Sequence, residues 1–382
     1  MDEAELSLPP EHRIELNSDD ARLPNRWAVL TLSDADDRPV QLVCWKNPRQ
    51  TLANRLKPSP EEKLTRRVNW QDLVRTARWR RVDSAFEADW VYLETARKVY
   101  SEKFTELVPW AETFFVHVDP DDEFPRYLRT SNPSGNPAHL IGPLPDRQSA
   151  ARLIEIVEDS FDLCRYHNIL VQSPSGKACA YKDMGKCPAP CDGNIAMEQY
   201  RRMIDISLAG LADPTKLIAE HTVRMEQSAA GLRFETATKI KALLNQLSRL
   251  NQGPLRYARP LSQFQFVAIQ PGPRRSQFKI FLILPSRVEA VSCLRSEPAE
   301  ADFDELIAVI QTRKTELPPA PARPDLLGLA ARHLFSTKSG GIFIPFASLN
   351  RDYLQAAIRT LAKSPPEPEP AADSSDIPPP PV

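Results

Sequence analysis

No apolar run in these 382 residues approaches the length of a bilayer span, which excludes a transmembrane helix. The opening stretch, MDEAELSLPPEH, is acidic and lacks an apolar h-region, so no signal peptide is expected. Neither sign of charge is in excess. Lys and Arg number 49 against 50 Asp and Glu, a net of −1, so any contact with nucleic acid must come from a local patch. Glycine is scarce at 12, against 37 prolines that gather in linkers and at the C-terminal end. The six cysteines do not spread through the chain as a disulfide framework would. With no export signal, that pattern points to the reducing cytoplasm. There is no internal repeat. The remaining composition, 42% apolar and 26% charged, is ordinary for a soluble protein, and the length suffices for two or three domains.

Four of the six cysteines do gather. Cys164, Cys179, Cys187 and Cys191 fall within 28 residues, separated by 14, 7 and 3 others. Four thiolates close in sequence satisfy a tetrahedral zinc or an iron–sulfur cluster, and spacing alone does not choose between them. The last loop, Gly185-Lys186-Cys187-Pro188-Ala189-Pro190-Cys191, holds two prolines, which stiffen it and remove amide donors. The competing reading is a set of structural thiols or two disulfides, which the spacing favours less. Cys44 and Cys293 sit in apparent strands and read as buried thiols.

Along the chain, residues 1–24 read as a flexible arm. Trp27–Leu32 and Val40–Cys44 are apolar, β-prone runs joined by a turn at Ser33–Asp37. A helix follows at Arg49–Leu56, then a loop at Lys57–Glu62. Lys63, Arg66, Arg67, Arg75, Arg78, Arg80 and Arg81 are interleaved with Trp70 and Trp79. Basic residues among aromatics fit a nucleic-acid surface, though such a run is more often a solvated helix face. A helix is expected over Ala88–Phe104 and strands at Phe114–Val118 and Tyr127–Thr130.

Asp146–Phe161 is amphipathic and delivers Cys164. Asn194 is expected to cap a helix to about Ala209. Asp213-Pro214 starts the next helix, which runs to Ala230 and stops at Gly231. Phe234 opens another. A hairpin of two helices buries little alone and needs a partner surface. Strands return within residues 260–295, with Arg274 and Arg275 in their turn. Phe303–Ile310 reads as a helix and Leu317–Pro324 as a linker. Residues 326–362 read as a helical cap with one strand, and the chain from Ser364 as a disordered tail.

Three pieces in order resemble the UvrC family, the dual-incision nucleases of bacterial nucleotide excision repair. They are Gly142-Pro143 followed by a helix ending in Phe161-Asp162-Leu163-Cys164; Cys179-Ala180-Tyr181-Lys182-Asp183-Met184-Gly185-Lys186-Cys187-Pro188-Ala189-Pro190-Cys191; and Arg224–Ser228 through Leu232-Arg233-Phe234-Glu235-Thr236-Ala237, similar to the UVR motif. The resemblance covers Gly142 to Leu250. It implies that Cys164, Cys179, Cys187 and Cys191 hold an iron–sulfur cluster of the 4Fe-4S type, with zinc as the alternative. It also implies that the hairpin docks on UvrB through Met225, Leu232, Phe234, Glu235, Ala237 and Lys241. Lys241-Ala242 stand where the family usually has Arg-Asp, so one inter-hairpin ion pair is in doubt.

The same resemblance implies a nuclease at each end, and both look degraded. Residues 25–135 have the order of a GIY-YIG domain, but Trp27-Ala28-Val29 and Leu42-Val43-Cys44 stand where its tyrosine motifs belong. Arg55 and Glu94 are vestiges of its catalytic pair, and a lone Arg and Glu do not rebuild a metal-dependent phosphodiesterase. Too few residues follow 284 for a full RNase H fold.

The expected class is α+β: an arm (1–24), a degenerate GIY-YIG-like α/β domain (25–135), a helical cysteine region (142–211), a UVR hairpin (212–250), a small α+β region (258–316), a cap (325–362) and a tail (363–382). The expected function is a cytoplasmic, non-catalytic UvrC-like repair protein that docks on UvrB and can contact DNA through Arg66, Arg67, Arg75, Arg78, Arg80 and Arg81. A residual endonuclease and a UVR adaptor for a non-repair partner are the alternatives.

Overall fold

The computed structural model describes residues 8–16, 22–56, 70–316, 320–336 and 340–363. The loop at 57–62, the cations Lys63, Arg66 and Arg67, part of the 317–324 linker and the tail from 364 lie outside the described residues. In chain order the main elements begin with strands β1 (Glu11–Glu15), β2 (Ala28–Ser33) and β3 (Pro39–Trp45), helix α1 (Pro48–Leu56), β4 (Thr76–Arg81) and α2 (Ala85–Tyr100). Then come β5 (Phe114–His117), β6 (Leu128–Thr130), β7 (Leu140–Leu144), α3 (Arg147–Ser160), α4 (Met197–Ala212), α5 (Pro214–Ala230), α6 (Phe234–Leu247) and β8 (Arg259–Pro260). The chain closes with β9 (Phe266–Pro271), β10 (Gln277–Leu284), β11 (Arg287–Arg295), α7 (Glu300–Glu316), α8 (Pro324–Phe335), β12 (Ile342–Pro345) and α9 (Arg351–Lys363). Helices pack on sheets whose strand pairs, among the described residues, are all antiparallel, so the chain is α+β.

The elements form two compact units. The first takes residues 1–111, 265–320 and 336–382. Its N-terminal sheet has the order β1-β4-β2-β3. Residues 1–24, expected as a flexible arm, instead supply β1, which pairs with β4 and buries Ile14, Leu16 and Leu23. β2 is buried along its whole length, with Leu30 and Leu32 packing toward Leu52 and Leu56 of α1. The second sheet of this unit has the order β11-β10-β9-β12. Val267, Ile269, Ile280 and Leu282 pack against Phe303, Leu306 and Ile310 of α7 and Leu354 and Ile358 of α9.

Helix α2 ties the two sheets together. Its Ser84 is the N-cap, accepting from the Glu87 N–H at 3.1 Å. Phe86 and Trp90 on its buried side meet Phe281 edge-on at 5.3 and 5.7 Å between ring centres, and Phe86 meets Phe343 at 5.7 Å. Cys44 on β3 and Cys293 on β11, expected as buried thiols, are both exposed. Strand membership fixes only alternation and does not by itself bury a side chain.

The second unit takes residues 112–264 and 321–335. Its sheet has the order β6-β5-β7-β8. Val116, Ile141 and Leu144 pack against Ala150, Leu153 and Val157 of α3 and Tyr200, Ile204 and Leu211 of α4. Gly142 sits where the strands crowd: a Cβ there would lie 2.6 Å from the Phe115 ring. Helix α8 returns from far along the chain to this unit, with Leu326, Leu327, Leu329 and Leu334 all buried.

Candidate functional site

The cysteine region begins where α3 ends. Asp146 caps that helix by accepting from the Ser149 N–H at 2.7 Å. Asp162, in the left-handed region at φ +52°, turns the chain inward. The Cys164 N–H then donates to the buried Tyr200 hydroxyl at 3.1 Å. The proline loop is pinned from several sides. The Gly176 N–H donates to the Cys191 carbonyl at 2.8 Å, Ser173 Oγ to Pro190 O at 2.7 Å and Asn194 Nδ2 to Pro188 O at 2.8 Å. Lys182 pairs with Asp192 at 2.5 Å. A Cβ on Gly176 would meet the Cys191 carbonyl at 2.9 Å, so only glycine allows this approach. Between the two prolines, Ala189 is buried at φ +56°.

Asn194, expected to cap α4, instead holds the proline loop. The helix starts after Ala196, whose N–H donates to the Gln199 side chain at 3.1 Å.

Cys164, Cys187 and Cys191 are buried, and Cys179 is half-buried at the head of a short helical turn, Ala180–Asp183. The Cys164 thiol donates to the Tyr166 carbonyl at 3.6 Å. The neighbouring Cys164 thiol, aided by the Ala189 N–H and the Arg165 guanidinium and opposed by burial, lowers the Cys187 thiol to about 6. The Cys187 thiol and burial raise Cys164, and burial with the nearby Asp192 charge raises Cys191. The donor set is soft and all-thiol, which matches zinc or an iron–sulfur cluster in type. In position it is incomplete: among the described residues, no three His, Cys, Asp or Glu side chains stand in metal-holding geometry.

The second feature is the hairpin of α5 and α6. Its base is anchored, with Leu217, Ile218 and Leu243 packed on the core of this unit and Leu247 buried in it. Asp213 caps α5 by accepting from the Lys216 N–H at 2.9 Å, with Pro214 in the first turn. The far end is bare. Leu232 is 74% exposed and Phe234 62% exposed, and Glu235 and Lys241 are also exposed, while Met225 and Ala237 are half-buried. The turn closes through Arg233 N–H to Ser228 O at 2.8 Å. The left-handed residue of this turn is Leu232, at φ +58°, whereas Gly231 has an ordinary φ of −81°.

The basic run lies largely on a strand and not on a helix. Arg78, Arg80 and Arg81 are on β4, inside its sheet between β1 and β2. Arg78 pairs with Asp37, Arg80 with Glu11 at 3.4 Å and Arg81 with Asp83 at 3.0 Å. Arg75 donates to the Val74 carbonyl at 3.3 Å. Arg55 lies 5.1 Å from the Trp45 ring centre, and Glu94 is half-buried on α2.

A feature the residue pattern did not suggest stands nearby. Lys279 of β10 reaches Glu87 Oε1 at 2.7 Å and Asp83 Oδ2 at 2.6 Å. The signal for half of it was present: Ser84 followed three residues later by Glu87 is a capping-box spacing. Lys279 lies nearly two hundred residues away and could not be matched to it.

Residues 113–209 match the family of the UvrC/Cho excinuclease middle domain. Among curated proteins, the UvrABC system protein C of Clostridium botulinum is 23% identical over 195 residues, covering 50% of this chain and 31% of that protein. The UvrABC system protein C of Nautilia profundicola is 27% identical over 158 residues, covering 41% of this chain and 25% of that protein. The match therefore spans less than a third of the length of these relatives. No solved structure matches significantly. Residues 113–209 of the chain are thus similar to the middle domain of the UvrC/Cho excinucleases.

Proposed function

We propose that this chain is a cytoplasmic accessory protein of bacterial nucleotide excision repair that docks on UvrB and does not itself cut DNA. The observation that carries the reading is the hairpin tip. An apolar Leu232 and Phe234 project to solvent from a hairpin whose base is locked in a core. Two large apolar side chains held out on a rigid support form an anchor for a partner's groove. The resemblance names that partner as the matching hairpin of UvrB.

In the same reading Cys164, Cys179, Cys187 and Cys191 would hold the 4Fe-4S cluster, or zinc. When bound, such a group cross-links the region and stabilises it. The residues around it have separate work: Tyr200 orients Cys164 through its backbone, and Asn194, Ser173 and Gly176 hold the proline loop. The absence of cutting is supported by Trp27 and Leu42-Val43-Cys44 at the tyrosine-motif positions and by the packing of Arg55 on Trp45.

The test is a pull-down of purified protein with UvrB, wild type beside Phe234→Ala. Wild type is expected to bind, and the variant to lose about 2 kcal/mol or more, roughly thirty-fold in Kd. Failure of wild-type protein, with its cysteine site loaded, to bind UvrB would overturn the docking. Metal-dependent nicking of DNA that Glu94→Ala abolishes would overturn the non-catalytic assignment.

A further inference from the structure

We infer that the β9–β10 turn, the ends of β2 and β3, and Arg81 at the end of β4 form a binding surface for the phosphate backbone of duplex DNA. The inference rests on the excision-repair reading for its choice of ligand.

A shallow depression of about 270 Å³ is lined by Arg26, Trp27, Lys46, Asp83 and the turn residues Gly272 and Pro273. Next in the chain are Arg274 and Arg275, both exposed. Arg295 is paired opposite Gln277 at the same end of its sheet. Cations thus come to one rim from four separate stretches of chain, a convergence that folding produces and local sequence does not display. The lining carboxylate, Asp83, has a side chain only 9% exposed and already takes Lys279 at 2.6 Å and Arg81 at 3.0 Å. It does little to cancel the positive rim.

The turn is held fixed. Arg26 Nη1 donates to the Pro273 carbonyl at 2.9 Å, and Arg81 Nη2 donates to the same oxygen at 3.4 Å. The Gly272 N–H donates to Gln277 O at 2.9 Å, and the Gln277 N–H to Arg274 O at 2.9 Å. A Cβ on Gly272 would fall 2.8 Å from Gln277 O, so the backbone closes this tightly only around glycine. A guanidinium has five N–H donors, so the bond from Arg26 leaves others for a phosphate oxygen. Preorganised cations lose less entropy on binding than cations on a mobile loop. Half-buried Trp27 among them favours nucleic acid over an anionic membrane, because its flat face suits sugar and base edges.

Fluorescence anisotropy of the full chain with a labelled DNA duplex tests this across a salt series. Wild type is expected to bind with a falling log K against log salt. Arg274→Glu with Arg275→Glu should weaken binding at least about tenfold and flatten that slope by about two, one for each lost phosphate contact. Arg202→Glu, an exposed charge reversal on α4, should leave both unchanged. Unchanged affinity and slope in the double variant overturn the surface. So does tighter binding to an RNA duplex, or binding to anionic vesicles without binding to DNA. A UvrB pull-down on the same samples separates the two failures: loss of UvrB binding strikes the docking, and loss of DNA binding alone strikes this surface.

Discussion

Of the five non-glycine residues at positive φ among the described residues, two are apolar, one in the hairpin motif and one in the cysteine motif. Leu232, at φ +58°, closes the hairpin while projecting its side chain outward. A left-handed conformation costs an L-residue roughly 1–2 kcal/mol, and the adjacent Gly231 would absorb it at no such cost. The turn puts the strain on leucine instead, at a residue proposed to meet the partner. Leu232→Gly should therefore stabilise the free protein by about 0.5–1 kcal/mol once the greater freedom of the unfolded glycine is subtracted, read as a higher melting temperature, while weakening UvrB binding. A lower melting temperature with intact binding would make Leu232 a structural residue.

Ala189 is the opposite case: left-handed, buried and flanked by prolines. A β-branched residue there meets both backbone strain and a filled site. Ala189→Val should destabilise by about 3 kcal/mol, read by chemical denaturation, whereas Ala189→Gly should stay near wild type. The cysteine spacing and the exposed phenylalanine were legible in the residues themselves. These torsions were not, because alanine and leucine carry no sequence signal for positive φ.

At the scale of elements, hydrophobic periodicity located α3, α5, α6 and the β9–β10 hairpin well. It failed at β1 and β4. β4 reads Thr-Ala-Arg-Trp-Arg-Arg, which suggests solvent, yet it is an inner strand. Its charges are admitted because partners arrive from elsewhere: Glu11 on β1 and Asp37 in the β2–β3 turn. Trp79 stacks on His12 across the same pair, at 4.2 Å between ring centres.

The ion cluster joining α2 to β10 follows the same logic at greater cost. Burial raises Glu87, while Lys279, Asp83's N–H and hydrogen bonding pull it down without restoring it. Burial lowers Lys279, but Glu87 and Asp83 outweigh it and hold it above its ordinary value. The Lys279 contribution to stability is thus fully present below the ordinary lysine value and lost as pH rises through the folded one. The raised Glu87 favours folding below the ordinary carboxylate range, and that contribution is lost as pH rises above it. Removing the ammonium strands the buried Glu87 carboxylate and leaves Asp83 with Arg81 alone, so Lys279→Met should cost about 3–5 kcal/mol near neutral pH. The deficit should shrink as pH is lowered from about 8 to about 5, where Glu87 can take up a proton. Glu87→Gln in the same background should remove most of that pH dependence. A deficit constant with pH would mean that Glu87 does not carry the charge.

On the scale of the whole molecule, the chain is interleaved in a way that no linear reading displays. A helix–strand–helix segment at the C-terminal end looks like one cap. Its first helix, α8, instead belongs with residues 112–264, while β12 and α9 complete the sheet of the other unit. Composition marks where linkers lie but not which core a segment serves, because α8 and α9 are both amphipathic and either could cover either sheet.

The join of α8 is specific. Arg256 Nη2 donates to the Leu334 carbonyl at 2.5 Å, Arg256 stacks over Phe335, and Tyr257 meets Phe335 at 5.6 Å. The family match, residues 113–209, therefore underestimates the folding unit. A fragment of residues 112–264 leaves uncovered the surface that Leu326, Leu327, Leu329 and Leu334 occupy. At about 1.5–3 kcal/mol for each buried leucine, that loss is comparable to the whole stability of a small domain. The fragment alone should melt broadly and early. Adding a synthetic peptide of residues 321–335 in excess should sharpen the transition and raise its midpoint with peptide concentration, as mass action requires. A peptide with Leu327→Asp and Leu334→Asp should do neither. If the fragment instead melts as cooperatively without the peptide as with it, α8 is an ornament on a core already complete, and the boundary belongs at residue 264.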